Sequence, residues 1–255
     1  MKKVLLILVA VIGFGICAKL QAQTGTPVQL VETIIDIWGN KSKYEYDSKN
    51  RITKITEYNP KGTRITLIKY TYNSAGELVE YNYKIEEGEW DGFISFEKKG
   101  NEISFYGDEK EGDIVLNTWG LPMEIKTIYD MDSYLEWSGK HCEYNNNGDL
   151  NSVVTTTTNT LDNEYFYSSI YYAYDNKNNN KSPFYYCKTP KWYFVFSSFS
   201  EDYGLISNIR MIQYEPSRFN TDDAAYTYTY DSAGFPLTQH DPEGKVLKTF
   251  TYIKK

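Results

Sequence analysis

Few residues of this chain, apart from its carboxylates, could act as nucleophiles, acid–base groups or metal ligands. The two histidines, His141 and His240, lie far apart in the sequence and outside any paired spacing that would hold zinc. His141 precedes Cys142, but adjacent residues of a strand point to opposite faces, which separates the imidazole from the thiol. The nucleophile elbow, the phosphate-binding loop and the G-x-G-x-x-G motif are absent from the sequence. The sequence therefore predicts no catalytic, cofactor-binding or metal-binding residues.

The carboxylates leave one catalytic alternative open. A glycoside hydrolase needs two carboxyl groups about 5–10 Å apart around the bond that it cleaves. The chain has 34 aspartates and glutamates, and no spacing singles out one pair of them. A carbohydrate-active enzyme with unrecognised carboxylates therefore remains an alternative to a non-catalytic protein.

A repeated pattern of tyrosines predicts the elements that position these side chains. Residues 44–52 read YEYDSKNRI, residues 70–78 read YTYNSAGEL and residues 228–237 read YTYDSAGFPL. The second tyrosine of the unit recurs at Tyr46, Tyr72, Tyr144, Tyr174, Tyr230 and Tyr252. Spacing of this kind is typical of a repeated supersecondary unit. Tyr, Phe and Trp make up 16% of the chain, and such residues favour β-strands.

The residues that follow each tyrosine pair have the chemistry of a β-hairpin turn. In the first unit, Asp47 can accept hydrogen bonds from the backbone and Asn50 can adopt a positive φ. The same template ends in a glycine at Gly76, Gly148 and Gly234. A second turn type, with proline in its second position, ends at Gly62 and Gly244. Alternation of the two turn types predicts consecutive antiparallel hairpins.

The alternation of side chains along the predicted strands indicates the shape and the environment of the sheet. The two tyrosines of each unit lie on one face, where rings of neighbouring units would contribute about 0.2–1 kcal/mol for each cross-strand pair. In the strand predicted at residues 51–58, Lys54 falls in one alternate set and Arg51 and Glu57 fall in the other, whereas a lipid-facing strand keeps one set apolar. We therefore predict an all-β fold: an antiparallel up-and-down meander of hairpins that forms a strongly curved sheet or a water-soluble barrel-like structure.

Two features of the chain leave structural alternatives open. Cys142 and Cys187 follow the N-terminal segment, and an even number of cysteines in an exported protein permits one disulfide bond. The alternative is two separate buried thiols, because the sequence does not show whether the two Cα atoms come within bonding range. Residues 189–199 are rich in aromatic side chains and could form either a short helix after Pro190 or another strand.

The N-terminal residues have the layout of a secretory signal peptide. Two lysines precede an apolar run at residues 4–16, and the small residue Ala22 closes the segment. The run is shorter than the about 20 residues that a transmembrane helix needs. We therefore predict a signal peptide at residues 1–22 and a single β-domain of hairpin repeats at residues 23–255.

Export and charge limit the compartment and the partners. Cleavage between Ala22 and Gln23 would place the chain in the periplasm, at the outer membrane or outside the cell, without a transmembrane span. The alternative is a lipid attached to Cys17, although Ile16 stands where a lipobox has a small residue. The formal net charge of −7 would become −10 on cleavage, because three lysines leave with the peptide. An acidic surface repels phosphate backbones, so we predict no nucleic-acid partner.

The repeated unit resembles the YD repeats of RHS and teneurin-type shell proteins, most closely at residues 44–79 and 226–252. The chain is also similar to small exported bacterial proteins with a porin-like β-fold, degenerate YD-like hairpins and a central loop like residues 180–184. That loop is followed there by an aromatic segment and a strand like residues 206–209. The resemblance implies a curved or barrel-like antiparallel sheet, and it implies no catalytic residues.

Three function classes agree with these observations. We favour an exported non-catalytic β-sheet protein that binds a glycan, a protein or a lipid on an aromatic-rich concave sheet, because 25 tyrosines exceed what one core needs. Its acidic charge leaves neutral glycans and basic proteins as partners. A structural envelope protein without a small ligand is the first alternative, in which the tyrosine repeats only fix turns and pack together. The carbohydrate-active enzyme is the second alternative.

The signal-peptide interpretation predicts a mature chain that begins at Gln23. Mass spectrometry of the protein from its native host should show that residues 1–22 are absent, because signal peptidase cleaves after a small residue such as Ala22. A diacylglyceryl group on Cys17 at the mature terminus would contradict this prediction and would indicate a membrane anchor.

Overall fold

The computed structural model describes residues 28–86, 90–108, 110–130, 135–146, 148–159, 165–174, 180–197, 209–216 and 223–255. Its strands are β1 (Gln29–Asp36), β2 (Lys41–Tyr46), β3 (Ile52–Tyr58), β4 (Arg64–Tyr72), β5 (Leu78–Ile85), β6 (Trp90–Lys99), β7 (Glu102–Gly107), β8 (Lys110–Leu116), β9 (Pro122–Asp130), β10 (Leu135–Tyr144), β11 (Leu150–Asn159), β12 (Tyr165–Tyr174), β13 (Ile209–Pro216), β14 (Asp223–Ala225), β15 (Thr227–Tyr230), β16 (Pro236–His240) and β17 (Val246–Lys254). One short helix, α1 (Lys191–Phe196), lies between β12 and β13. The signal-peptide residues, including Cys17, Ala22 and Gln23, lie outside the described residues.

The strands form one curled antiparallel sheet. Strands β1 to β14 pair with one another in chain order, and so do β15 to β17. Strand β1 also pairs with β17, from Gln29 opposite Lys254 to Asp36 opposite Lys248, so the first strand contacts both the second and the last. The predicted all-β, up-and-down fold is confirmed.

The hairpin turns share one hydrogen-bond pattern. In the first Tyr-x-Tyr unit, the Asp47 N–H donates to the Arg51 carbonyl, the Asn50 N–H donates to the Asp47 carbonyl, and Asp47 Oδ1 accepts from the Arg51 N–H at 2.9 Å. Asn50 has a φ of 64°. The same three bonds occur in the turns that begin at Asp36, Asn59, Asn73, Asn117, Asn145, Asp231 and Asp241. One aspartate or asparagine thus satisfies the backbone of its whole turn.

The structure differs from the predicted turns in two respects. The two proline-containing turns have the same bonds as the others, so the prediction of a separate second turn type was wrong. Proline suits this turn because its second position needs φ near −65°. The turns at residues 36–39 and 117–120 were not predicted, since no Tyr-x-Tyr pair precedes them. The glycines at the ends of the predicted turns have φ between 81° and 89°: Gly62, Gly76, Gly148, Gly234 and Gly244.

The concave face of the sheet is packed around residues 180–197, which we call the inserted segment. Its helix α1 is buried on all sides, through Trp192, Tyr193, Phe194 and Val195. A helix that is apolar all round belongs inside a core. The structure therefore resolves the alternative left open by the sequence in favour of a helix, which begins directly after Pro190, a residue whose fixed φ suits a helix start.

Hydrogen bonds attach the inserted segment to two of the turns. The Lys181 N–H donates to the Gly234 carbonyl at 2.8 Å, and the Lys188 N–H donates to the Asn50 carbonyl at 2.9 Å. The Ile52 N–H donates to Thr189 Oγ1 at 2.9 Å in a buried position. Because buried backbone groups need partners, these bonds allow an irregular segment to lie inside the sheet.

The second tyrosine of the repeat connects neighbouring hairpins. Its hydroxyl donates to the first carbonyl of the preceding strand in three units: Tyr72 to Ile52 at 2.8 Å, Tyr144 to Pro122 at 2.8 Å, and Tyr252 to Pro236 at 2.7 Å. The Tyr46 hydroxyl is buried and has no hydrogen-bond partner among the described residues. The repeat thus places a polar group where a turn leaves a carbonyl without a ladder partner.

The two cysteines in the described part of the chain, Cys142 and Cys187, are free thiols. Cys142 is buried on β10, where burial raises the pKa of its thiol to about 11. Cys187 lies in the inserted segment, and burial also raises its pKa. The disulfide bond permitted by the sequence is therefore not formed in the structure. Within the described residues, no helix is both long and apolar enough to cross a membrane.

The shared turn geometry predicts that Gly62→Ala will lower the free energy of unfolding by about 1–2 kcal/mol. Gly62 has a φ of 81°, and a Cβ added there would meet no atom within 4 Å, so backbone strain is the only penalty. Urea denaturation measures the change. The control Lys61→Ala, in the same exposed turn, should change stability by less than about 0.5 kcal/mol. Equal effects of the two substitutions would contradict the prediction.

The buried tyrosines predict alkaline unfolding. Burial raises the pKa of Tyr44, Tyr70, Tyr72 and Tyr193 above the ordinary value of 10.0. Since the folded state holds these protons more tightly, their contribution to stability is complete below pH 10 and is lost as the pH rises above it. Tyrosinate absorbance and far-UV circular dichroism should therefore change together above pH 10. Full tyrosine ionisation with an unchanged dichroism spectrum would contradict this.

Candidate functional site

The concave aromatic face that the sequence favoured as a binding surface is occupied by the protein itself. The Tyr70 ring lies 5.4 Å from the Tyr193 ring, and the two hydroxyls are 2.9 Å apart. The Phe96 ring lies 4.9 Å from Trp192, and the Tyr44 ring lies 5.3 Å from a ring of the inserted segment. These edge-to-face contacts fill the curl. The expectation of ligand binding on a concave aromatic sheet was therefore wrong for this part of the sheet.

Exposed aromatic rings lie instead on the convex face and in turns. Trp38 is 75% exposed and Trp119 is 57% exposed, and each occupies the third position of a hairpin turn. Tyr106 on β7 is 57% exposed and Trp137 on β10 is 51% exposed. Single exposed apolar side chains are normal on a protein surface, whereas exposed apolar side chains that lie together mark a binding surface. Tyr106 and Trp137 are therefore the first candidates for a binding surface.

The strand register places these two rings in one row on the convex face. Tyr106 lies opposite Glu111, Glu111 opposite Ile128, and Ile128 opposite Trp137. The side chains of this row point outward, because Phe105, which precedes Tyr106 on β7 and points to the opposite face, is buried. Neighbouring strands are about 4.8 Å apart, so three strand steps separate the two rings by about 14 Å.

Further apolar side chains extend this row. The Phe93 ring packs edge-to-face on Tyr106 with the centroids 6.1 Å apart. Leu135 precedes Trp137 by two residues, so it lies on the same face of β10, and it is also exposed. We call Phe93, Tyr106, Ile128, Leu135 and Trp137 the outer strip.

Two grooves follow Trp137 along β10. The first has a volume of about 380 Å³, and its charged lining combines Asp108, Glu111 and Asp130 with Lys110 beside Trp137. Asp108 is held in place, because its Oδ2 accepts a hydrogen bond from the Phe93 N–H at 3.0 Å. The groove thus offers an indole ring beside several carboxylate acceptors.

The second groove, of about 260 Å³, lies over Gly139, two residues beyond Trp137. Its lining includes Glu124, Lys126, His141 and Thr156. A Cβ added to Gly139 would lie 3.1 Å from Thr156 Oγ1, so a larger residue there would fill the hollow. His141 is exposed in this groove, whereas the adjacent Cys142 is buried on the other face. The strand therefore separates the imidazole from the thiol, as its alternation predicts.

The sequence did not indicate the outer strip, because its members belong to four different strands. One signal was available on β10, where Leu135, Trp137, Gly139 and His141 alternate with residues of the other face. The register that joins Trp137 to Tyr106 depends on the hairpin loops and on a register shift between Val115 and Leu116 of β8, which short sequence motifs do not specify.

The shifted carboxylates do not support a glycosidase. Burial raises the pKa of Asp47, but the hydrogen bonds from the backbone and the guanidinium group of Arg51 together lower it by more. The pKa of Asp47 therefore lies below its ordinary value. Asp231 shows the same balance in its own turn, and hydrogen bonds from Asn73 and Lys98 lower the pKa of Glu77. A general acid needs a raised pKa. Within the described ranges, no three of the residues His, Cys, Asp and Glu cluster as metal ligands.

The sequence matches no protein-family model, and no curated protein matches it. Among solved structures, it is similar to a porin-like protein from Bacteroides uniformis, with 14% identity, a TM-score of 0.37, and coverage of 88% of this chain and 98% of that chain. It is also similar to the Photorhabdus luminescens Tc holotoxin pore, with 10% identity and a TM-score of 0.31. That match covers 86% of this chain and 13% of the toxin chain. The structural neighbours of this all-β chain thus include a porin-like protein and toxin chains.

Proposed function

We propose that the protein is an exported, non-catalytic binding module whose outer strip binds an extended neutral glycan. The observation that carries this proposal is the exposure of Trp137 beside the hollow over Gly139, in one row with Tyr106. In this proposal, residues 1–22 are removed as a signal peptide and residues 23–255 form one domain.

The chemistry of the outer strip suits a sugar polymer. Aromatic rings present flat apolar faces on which the C–H face of a sugar ring can stack, and they lose little conformational entropy on binding. Between and beside the rings lie hydrogen-bonding groups that sugar hydroxyls need, from Glu111, His141 and Thr156. A few polar groups in an apolar groove are the usual means of orienting a ligand.

The charges near the strip favour a neutral ligand. The acidic balance of the chain and the carboxylates around Trp137 repel polyanions. In the second groove, the Lys126 ammonium lies 3.9 Å from the Glu124 carboxylate, so the charges there are mixed and exposed. A neutral polymer meets no repulsion in either groove. Because about 14 Å separates Tyr106 from Trp137, only an extended chain of sugars contacts both rings.

A structural envelope role is the second candidate. It is favoured by the inserted segment, which fills the curl and leaves the concave aromatic rings without access to a ligand. In that case the outer strip would have no ligand, and its rings would be surface residues only. A ligand-binding measurement on the outer strip separates the two candidates.

The proposal predicts that Trp137→Ala will weaken the binding of a neutral glycan, selected on a glycan array, at least tenfold. Truncation of a central aromatic contact costs about 2 kcal/mol or more. Calorimetric titration measures the affinity. Gly139→Val should also weaken binding, because the new side chain fills the hollow beside the indole.

The matched control is Trp38→Ala, which removes an equally large exposed ring from a turn outside the strip. Its affinity should stay within about twofold of the unchanged protein, less than 0.5 kcal/mol. An array without hits, or equal losses for Trp38→Ala and Trp137→Ala, would reject the binding proposal and favour the structural role.

A further inference from the structure

The concave face changes character where the core around the inserted segment ends. Strands β8 to β11 carry polar side chains on their concave face. These side chains lie in adjacent rows near the strand ends that are farthest from the 117–120 turn. In one row Thr127 lies opposite Ser138 and Ser138 opposite Thr157. In the next row Lys140 lies opposite Thr155. Together with Lys110 on β8, these residues form what we call the inner polar wall.

Solvent reaches this wall. Lys110, Ser138, Lys140, Thr155 and Thr157 are all partly exposed, in contrast to the buried rings around α1. Gly112 lies opposite Thr127 on the neighbouring strand, and the Phe105 ring lies against Gly112, where an added Cβ would be 2.8 Å from Phe105 Cζ. The apolar boundary is the Phe196 ring, whose centroid lies 5.1 Å from Lys110 Nζ.

The two ammonium groups of the wall lack counter-ions. Within the described residues, neither Lys110 nor Lys140 forms an ion pair. Burial lowers the pKa of Lys110, and the positive charge of Lys140 lowers it further. The carboxylate that faces this region is Glu136, which lies opposite Tyr129. Burial is the larger cause of the raised pKa of the Tyr129 phenol, and the negative charge of Glu136 is the second cause. Half-buried cations that repel each other are stabilised by an anion.

We propose that the inner polar wall binds a sugar acid, a polyhydroxylated molecule with one carboxylate. The ammonium groups of Lys110 and Lys140 would pair with the carboxylate through charge-assisted hydrogen bonds. The hydroxyls of Ser138, Thr155 and Thr157 can both donate to and accept from the sugar hydroxyls. This site lies on the concave face, although Lys110 also lines the groove beside Trp137 and Lys140 also lines the groove over Gly139.

Calorimetric titration of the purified protein with glucuronate, glucose and inorganic phosphate tests the chemistry of the site. Glucuronate and glucose differ in one carboxylate, so saturable glucuronate binding at least tenfold tighter than glucose binding is expected. Equal affinities for the two sugars, or no binding of either, would overturn the proposal. Phosphate binding as tight as glucuronate binding would overturn the assignment of a sugar acid, since the wall would then attract any anion.

Substitutions locate the site. Lys140→Met and Lys110→Met keep the length of the side chain, and each should weaken glucuronate binding about tenfold or more. Lys61→Met is the matched control, because Lys61 is exposed in the 59–62 turn away from the wall and from both grooves, and its affinity should be unchanged. Thermal unfolding checks that each variant is folded, and Thr155→Val provides a second test by removing one hydroxyl. A loss in Lys61→Met equal to that in Lys140→Met would overturn the proposal.

Discussion

The fold depends on the burial of the inserted segment against the concave face of the sheet. The hairpins carry many rings on that face, and a curled sheet of this kind would expose them to water if its interior were empty. Trp192 and Tyr193 supply the missing partners, through edge-to-face contacts with Phe96 on β6 and Tyr70 on β4. Phe194 packs on Phe184 within the segment. The inserted segment therefore forms the second layer that a single sheet needs in order to bury its apolar face.

The hydrogen bonds of the repeat make this packing specific. Each turn satisfies its own backbone through one aspartate or asparagine, and Tyr72, Tyr144 and Tyr252 each connect their strand to the start of the preceding one. Thr189 accepts the Ile52 N–H in the same region, so the inserted segment takes part in the network. A polar group that is buried and paired favours one register over its neighbours, because a slip would leave that group without a partner.

The same packing decides where ligands can bind. Rings on the concave face are used by the core, so a binding role falls to surfaces that the inserted segment does not cover. These are the outer strip around Trp137 and the inner polar wall beyond Phe196, which differ in charge and hydroxyl content. One face offers exposed rings with carboxylates, and the other offers ammonium groups with hydroxyls. The two proposed ligands differ for that reason.

The sequence by itself determined the strand class and the turns, because both depend on local chemistry. An aspartate such as Asp47 and a glycine such as Gly76 specify a turn within five residues, and alternating tyrosines specify a strand. Tertiary structure alone decided that α1 lies inside the curl, that Cys142 and Cys187 stay apart as thiols, and that Trp137 joins Tyr106 in one row. Each of these facts depends on contacts between residues distant in the chain. Local patterns do not encode such contacts, since register and burial arise only when the whole sheet has curled around its core.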